Sequence, residues 1–160
     1  VSSDLFLCKH LSVIYLHKNN IIDLPDNLGD LTNLRVLMVS NNQLEDIPKS
    51  ISTCNALEQL DVSDNLLTRF PDEITECANL SILKIARNKL KTLPQSISKL
   101  SSLQEFYASG NEFTNIDSLC KCNSLRVIHC NSNKIKGLAE EVGKLLQLEE
   151  LHLNDNQLEG

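Results

Sequence analysis

Histidine, cysteine and asparagine are the residue types in this sequence whose spacing could do chemistry. His129 and His152 stand 23 residues apart. With a carboxylate beside them, two such imidazoles could hold a metal ion or sense pH. No third ligand is evident at a suitable spacing, so the pair reads as two surface histidines and no metal is expected. The Cys120-Lys121-Cys122 run has no matching pair at zinc spacing. With five glycines in the chain, no phosphate-cradling loop is present, and neither G-x-S-x-G nor H-E-x-x-H occurs. The expectation is a chain that is not an enzyme, with no catalytic residue and no cofactor.

The asparagines carry the strongest pattern. Asn19, Asn42, Asn65, Asn88, Asn111, Asn133 and Asn156 are separated by 23, 23, 23, 23, 22 and 23 residues. The segments around them, such as LRVLMVSNNQL, LEQLDVSDNLL and LEELHLNDNQL, share the frame L-x-x-L-x-L-x-x-N-x-L. Near-constant self-similarity at this period marks a repeat architecture, in which each unit buries its apolar face only against its neighbours.

The elements follow from the frame. L-x-L alternates with period two, so Leu83 and Ile85 point to the same side of a short strand. Each Asn comes where the chain leaves the strand, and its amide can satisfy backbone groups exposed by that bend. The seven are therefore expected to stack as a structural ladder. The return leg reads L-P-x-x-I-x-x-L, as in Leu93-Pro94, Ile97 and Leu100, which places apolar residues on one face of a short helical turn. Proline, at 25, 48, 71 and 94, is expected one residue inside that turn, where no N–H partner is needed. The leg Phe113, Ile116, Leu119, Cys122 lacks the proline and is one residue short, a spacing suited to a 3₁₀ turn with a local change of curvature. The next leg has Ala139 in the proline slot.

Register also sorts the cysteines. Cys8, Cys54, Cys77 and Cys122 fall where Leu31, Leu100 and Leu145 stand in other units, and Cys130 falls where Val39 and Leu153 stand. These read as buried thiols acting as small hydrophobes, with only Cys120 exposed. Unpaired thiols point to a reducing, cytoplasmic compartment.

Strand residues facing away from the core are left for recognition. The central row is Tyr15, Met38, Asp61, Lys84, Tyr107, His129 and His152. Two residues earlier run Val13, Val36, Gln59, Ile82, Glu105, Val127 and Glu150; two later run His17, Ser40, Ser63, Ala86, Ser109, Asn131 and Asn154. Seven strands about 4.8 Å apart span on the order of 30 Å, which suits a protein partner better than a small molecule. The expected partner-binding set is Tyr15, Val36, Met38, Asp61, Ile82, Lys84, Tyr107, Val127, His129 and His152. Alternating charges between units are expected to neutralise across strands, for example Asp61 with Lys84.

Composition excludes other classes. A net charge of -6 repels nucleic acid and anionic membranes. No apolar run reaches the roughly 18 residues of a membrane helix, so membrane insertion is not expected. Aromatic residues at 4%, with no Trp, leave few platforms for stacking bases.

The 23-residue unit with L-P-x-x-I-x-x-L, as in LEDIPKSISTCNALEQLDVSDNLL and LKTLPQSISKLSSLQEFYASGNEF, resembles the Ras-group leucine-rich repeat proteins, the class of the Ras suppressor and Scribble-type scaffolds. The resemblance implies an α/β leucine-rich repeat solenoid, or horseshoe. Its parallel sheet would line the concave side, with short helical or 3₁₀ segments on the convex side. It also implies an intracellular scaffold or adaptor that docks a signalling protein, such as a small GTPase or a phosphatase complex, on the concave face. Similar repeats are attached to cyclases, kinases and phosphatases, which keeps a regulatory region of a multidomain enzyme as an alternative. An extracellular recognition module is a third. Residues 1–160 are expected to form a single domain of about seven repeats. The opening partial unit, Leu5–His10, and the stop after the last turn lack the polar face of a capping unit. The sequence therefore reads as a fragment of a longer solenoid.

Overall fold

The computed structural model describes residues 1–159; Gly160, the last position of the domain span read from the sequence, lies outside them. Seven strands, β1 (Val13–Tyr15), β2 (Val36–Met38), β3 (Gln59–Asp61), β4 (Ile82–Lys84), β5 (Glu105–Tyr107), β6 (Val127–His129) and β7 (Glu150–His152), form one parallel sheet in chain order. Each strand pairs with the next without slippage, Leu60 facing Leu83 and Leu83 facing Phe106. A strand of three residues cannot hold itself together. The sheet forms because the middle residue of each strand from Ile14 to Ile128 is buried against its counterparts above and below.

Each coil returns through a five-residue 3₁₀ helix: η1 (Ser3–Leu7), η2 (Asp26–Asp30), η3 (Lys49–Thr53), η4 (Asp72–Glu76), η5 (Gln95–Lys99), η6 (Asp117–Lys121) and η7 (Glu140–Lys144). The tight form was expected for the Phe113–Cys122 leg; it is the form of all seven, because segments this short gain little from α-helical bonding. Pro25, Pro48, Pro71 and Pro94 are N-caps with extended backbone, not the first helical residue. Their carbonyls accept the opening helical bond, as in Ile51 N–H to Pro48 O at 3.0 Å. Ala139 adopts the same extended conformation in the same slot, so the backbone there does not require proline. The one-residue deletion is absorbed at Ile116, which caps η6 at φ -130°, ψ 23°. The β5–β6 register passes it unbroken.

Helices stack on helices along the convex side. The residue after each inward apolar side chain is small from η2 onward: Gly29, Ser52, Thr75, Ser98, Cys120 and Gly143. Gly29 shows why, since a Cβ there would stand 2.5 Å from Ser50 O and Thr53 Oγ1 of the next coil. This stacking corrects the expectation for Cys120, which is buried at 5% exposure. Cys8 is the exposed thiol instead. Cys54, Cys77 and Cys122 each direct Sγ at a carbonyl of the coil before, Leu28 O, Ile51 O and Ile97 O. Cys8 belongs to the first coil and has no such neighbour among the described residues.

Candidate functional site

The face of the sheet turned away from the core is held open by a spine behind it. Asn88 donates through Nδ2 to Val62 O, Ile85 O and Ala86 O at 3.1–3.2 Å, and its Oδ1 accepts the Leu67 N–H at 3.0 Å. Asn42, Asn65, Asn111, Asn133 and Asn156 likewise accept a backbone N–H from the coil before and donate to carbonyls of both coils. Asn19, in the first coil, is exposed, and among the described residues its side chain bonds only to Leu16 O and His17 O of its own coil. These amides are consumed in backbone satisfaction.

The residue before each ladder asparagine has positive φ: Lys18, Asn41, Asp64, Arg87, Gly110, Ser132 and Asp155, at 50–71°. Only one is glycine. The bend that takes the chain off the strand demands the left-handed region. There the N–H still reaches the next coil, as from Arg87 to Ser109 O at 2.7 Å. Asn, Asp and Gly tolerate this region, whereas Lys18 and Arg87 bear its steric cost.

In front of the spine, the rows differ in what they leave free. In the central row Tyr15 is 64% exposed, and Met38, Asp61, Lys84, Tyr107, His129 and His152 are half-buried. Val36, Ile82 and Val127, in the row before, are half-buried too. The row after is largely spent. Ser63 and Ala86 are buried, Ser63 Oγ accepts Ala86 N–H, Ser109 Oγ accepts Asn131 N–H, and Asn131 Oδ1 accepts Asn154 N–H. That third row therefore ties strands together instead of facing a partner.

The structure brings four of the named residues into a continuous run. Lys84 Nζ lies 5.1 Å from the centroid of the Tyr107 ring, within cation–π range. Tyr107 meets His129 edge-on at 4.9 Å, and His129 stacks on His152 at 4.0 Å with 13° between planes. The Tyr107 hydroxyl donates to Glu105 Oε2 at 2.9 Å. Burial first, then the Glu105 carboxylate, pushes its pKa up to about 12. Tyr15 and Met38 are paired in register at the other end, so the face runs from apolar to polar.

Charge pairing differs from the expected pattern. Asp61 and Lys84 are Cα partners, but Asp61 Oδ1 accepts the Ser63 N–H at 2.9 Å while Lys84 covers Tyr107. The neutralised pairs lie at the strand entrances and at the turns: Arg35 with Glu58 at 2.9 and 3.0 Å, Arg126 with Glu149 at 2.9 and 3.0 Å, and Arg87 with Asp64. Hydrogen bonding to Arg35 holds the Glu58 carboxyl below its usual range. Asp61 and Lys84 are thereby left for other company.

Sequence reasoning missed the third member of the histidine cluster. Glu150 Oε2 lies 3.4 Å from His129 Nε2 and 3.8 Å from His152 Nε2. The signal was present as Glu150-x-His152, two positions on one side of one strand beside His129 on the next.

Comparison with known proteins places these features among relatives. The family described as "Leucine rich repeat" matches residues 9–67 and 56–113, and "Leucine Rich repeats (2 copies)" matches residues 101–141. Comparison with the curated proteins returns no match. Among solved structures, a leucine-rich repeat protein of Leptospira interrogans is 28% identical with a TM-score of 0.78, over 99% of this chain and 46% of that one. The plant peptide hormone receptor RGFR1, in complex with RGF2, is 32% identical with a TM-score of 0.89, over 99% of this chain and 26% of that one. A TDR receptor at 24% identity and a TM-score of 0.91, over 98% of this chain and 28% of that one, shares the fold. The chain spans less than half the length of each of these proteins.

Proposed function

The chain belongs to the leucine-rich repeat family, and from that premise we propose that it is a protein-binding module whose docking surface is the concave face. One observation carries this. The side chains between the ladder and the convex helices are used up in packing, while Tyr15, Val36, Met38, Asp61, Ile82, Lys84, Tyr107, Val127, His129 and His152 remain at least partly accessible on one uninterrupted sheet. Mixed apolar, aromatic and charged groups on such a face favour a protein partner and select it by complementarity. The role is binding, not catalysis.

The finer reading is a cytoplasmic scaffold that docks a signalling protein, a small-GTPase pathway component or a phosphatase complex. Its support is the L-P-x-x-I-x-x-L unit and the thiols at core positions. The test is capture by the immobilised chain followed by mass spectrometry. Lys84→Glu combined with Tyr107→Ala removes the specific partner while circular dichroism stays unchanged, and Lys121→Glu on the convex side does not. Equal recovery by all three proteins would refute the concave site.

A second reading is favoured by the plant peptide hormone receptor RGFR1, described in complex with RGF2. An extracellular module of that kind would bind a peptide along the same face. Free-thiol titration of the native protein separates the two: six reduced thiols support the cytoplasm, and disulfides support secretion.

A further inference from the structure

The sharpest cluster on the molecule lies at one end of the concave face. Parallel pairing sets His129 opposite His152 and Val127 opposite Glu150. The two-residue strand period then brings Glu150 and His152 to the same side, beside His129 on the neighbouring strand. Every member offers one ligand atom, and these atoms lie within 4.8 Å of one another.

We propose that His129, Glu150 and His152 form a binding site for a divalent first-row transition metal ion, zinc being the ion that its two imidazoles and one carboxylate suit. Imidazole nitrogen and carboxylate oxygen bind zinc at about 2.0–2.2 Å, which sets two donors on one tetrahedral ion roughly 3.3–3.5 Å apart. The observed 3.4 and 3.8 Å from the histidine nitrogens to the glutamate oxygen are within a few tenths of an ångström of that spacing. The two imidazoles lie stacked at 13° with their in-plane lone pairs nearly parallel, so binding turns the rings out of the stack to converge on one ion, a rotation that their partial exposure leaves room for.

The surrounding charges agree. Glu149, next in sequence, is neutralised by Arg126. Glu150 pairs with no lysine or arginine among the described residues, its close neighbours being the two histidines. Glu105, bonded to Tyr107 on the neighbouring strand β5, adds a second carboxylate to this end of the face, while Lys84 lies against the Tyr107 ring. Three protein ligands leave a fourth position of a tetrahedral ion open. On a docking face that position can take a water or a carboxylate or imidazole of a bound protein. The metal site itself stands without the docking reading.

Titration of the metal-free full chain with zinc chloride, followed by calorimetry, tests the site. The expected result is saturable binding of about one ion per chain, with a Kd of about 10 μM or tighter. Glu150→Gln weakens it at least about tenfold, and His129→Gln with His152→Gln removes it. Circular dichroism on each variant checks the fold. Cobalt(II) as a second probe distinguishes donors, since nitrogen and oxygen ligation gives visible bands without the near-ultraviolet thiolate transition. No saturation up to about 100 μM zinc overturns the proposal. So does binding that survives the double histidine variant, or a cobalt thiolate band lost on Cys8→Ser.

Discussion

Asn88 Oδ1 accepts at 3.0 Å the backbone N–H of Leu67, which lies in the coil before it. That bond joins adjacent coils beyond the ends of β3 and β4, and both partners are buried. Asn88→Ala leaves the buried Leu67 N–H unsatisfied, while Val62 O, Ile85 O and Ala86 O each keep a second donor, from Asn65 Nδ2, Asn111 Nδ2 and the Asp64 N–H. The expected loss is about 1–3 kcal/mol of unfolding free energy, read from urea denaturation. Asn19→Ala, at the exposed first rung, costs less than about 1 kcal/mol. Equal losses at the two positions would show that the ladder does not act through burial.

Gly29 stacks against the next convex helix with no room for a methyl group. Gly29→Ala is expected to destabilise by about 1–3 kcal/mol through overpacking. Gly137→Ala, where a Cβ would meet nothing within 4 Å, is expected to leave the denaturation midpoint unchanged.

Lys18 holds φ at 57° without glycine. Lys18→Gly relieves the left-handed strain, offset by the entropy of a freer unfolded chain, for a net gain of up to about 1 kcal/mol. Arg87→Gly relieves the same strain but loses the pair with Asp64, so its gain is smaller. A double-mutant cycle of Arg87→Gly with Asp64→Asn isolates the ion pair.

The core thiols make the fold sensitive to alkali. Burial raises Cys54 and Cys122 to about 11 and Cys77 and Cys130 to about 12. In the unfolded chain these groups deprotonate near pH ~8.5. Between those values the unfolded state holds fewer protons than the folded one. Stability is therefore full below about pH 8.5 and falls as pH rises toward 11–12. Urea midpoints at neutral pH and at pH ~10 give the slope. At neutral pH a thiol reagent is expected to modify exposed Cys8 first, with the five buried thiols reacting only on unfolding.

Much of this was readable from periodicity. A fixed interval between asparagines and a two-residue alternation of apolar positions dictate one short strand per unit, stacked in order, because each unit has no other place to bury Leu37, Leu60 or Leu83. The convex stacking was also legible, in the small residue at 29, 52, 75, 98, 120 and 143. Smallness carries no hydrophobic signal, however, so hydrophobic spacing alone puts Cys120 at the surface. Spacing alone does not tell a cap from a first helical residue, and each proline stands one residue earlier than the pattern implies.

The amino-acid order by itself therefore determined the fold: repetition turns short-range pattern into long-range stacking, with each side chain's neighbours being its own counterparts one period away. Only the tertiary structure decided how the exposed groups combine. Side-chain reach and rotation, not register, set Lys84 over Tyr107 instead of against Asp61, spent Ser63, Ser109 and Asn131 on backbone bonds, and turned Glu150 toward two stacked imidazoles. Those choices are made by local competition among neighbours in space, which a one-dimensional period does not encode.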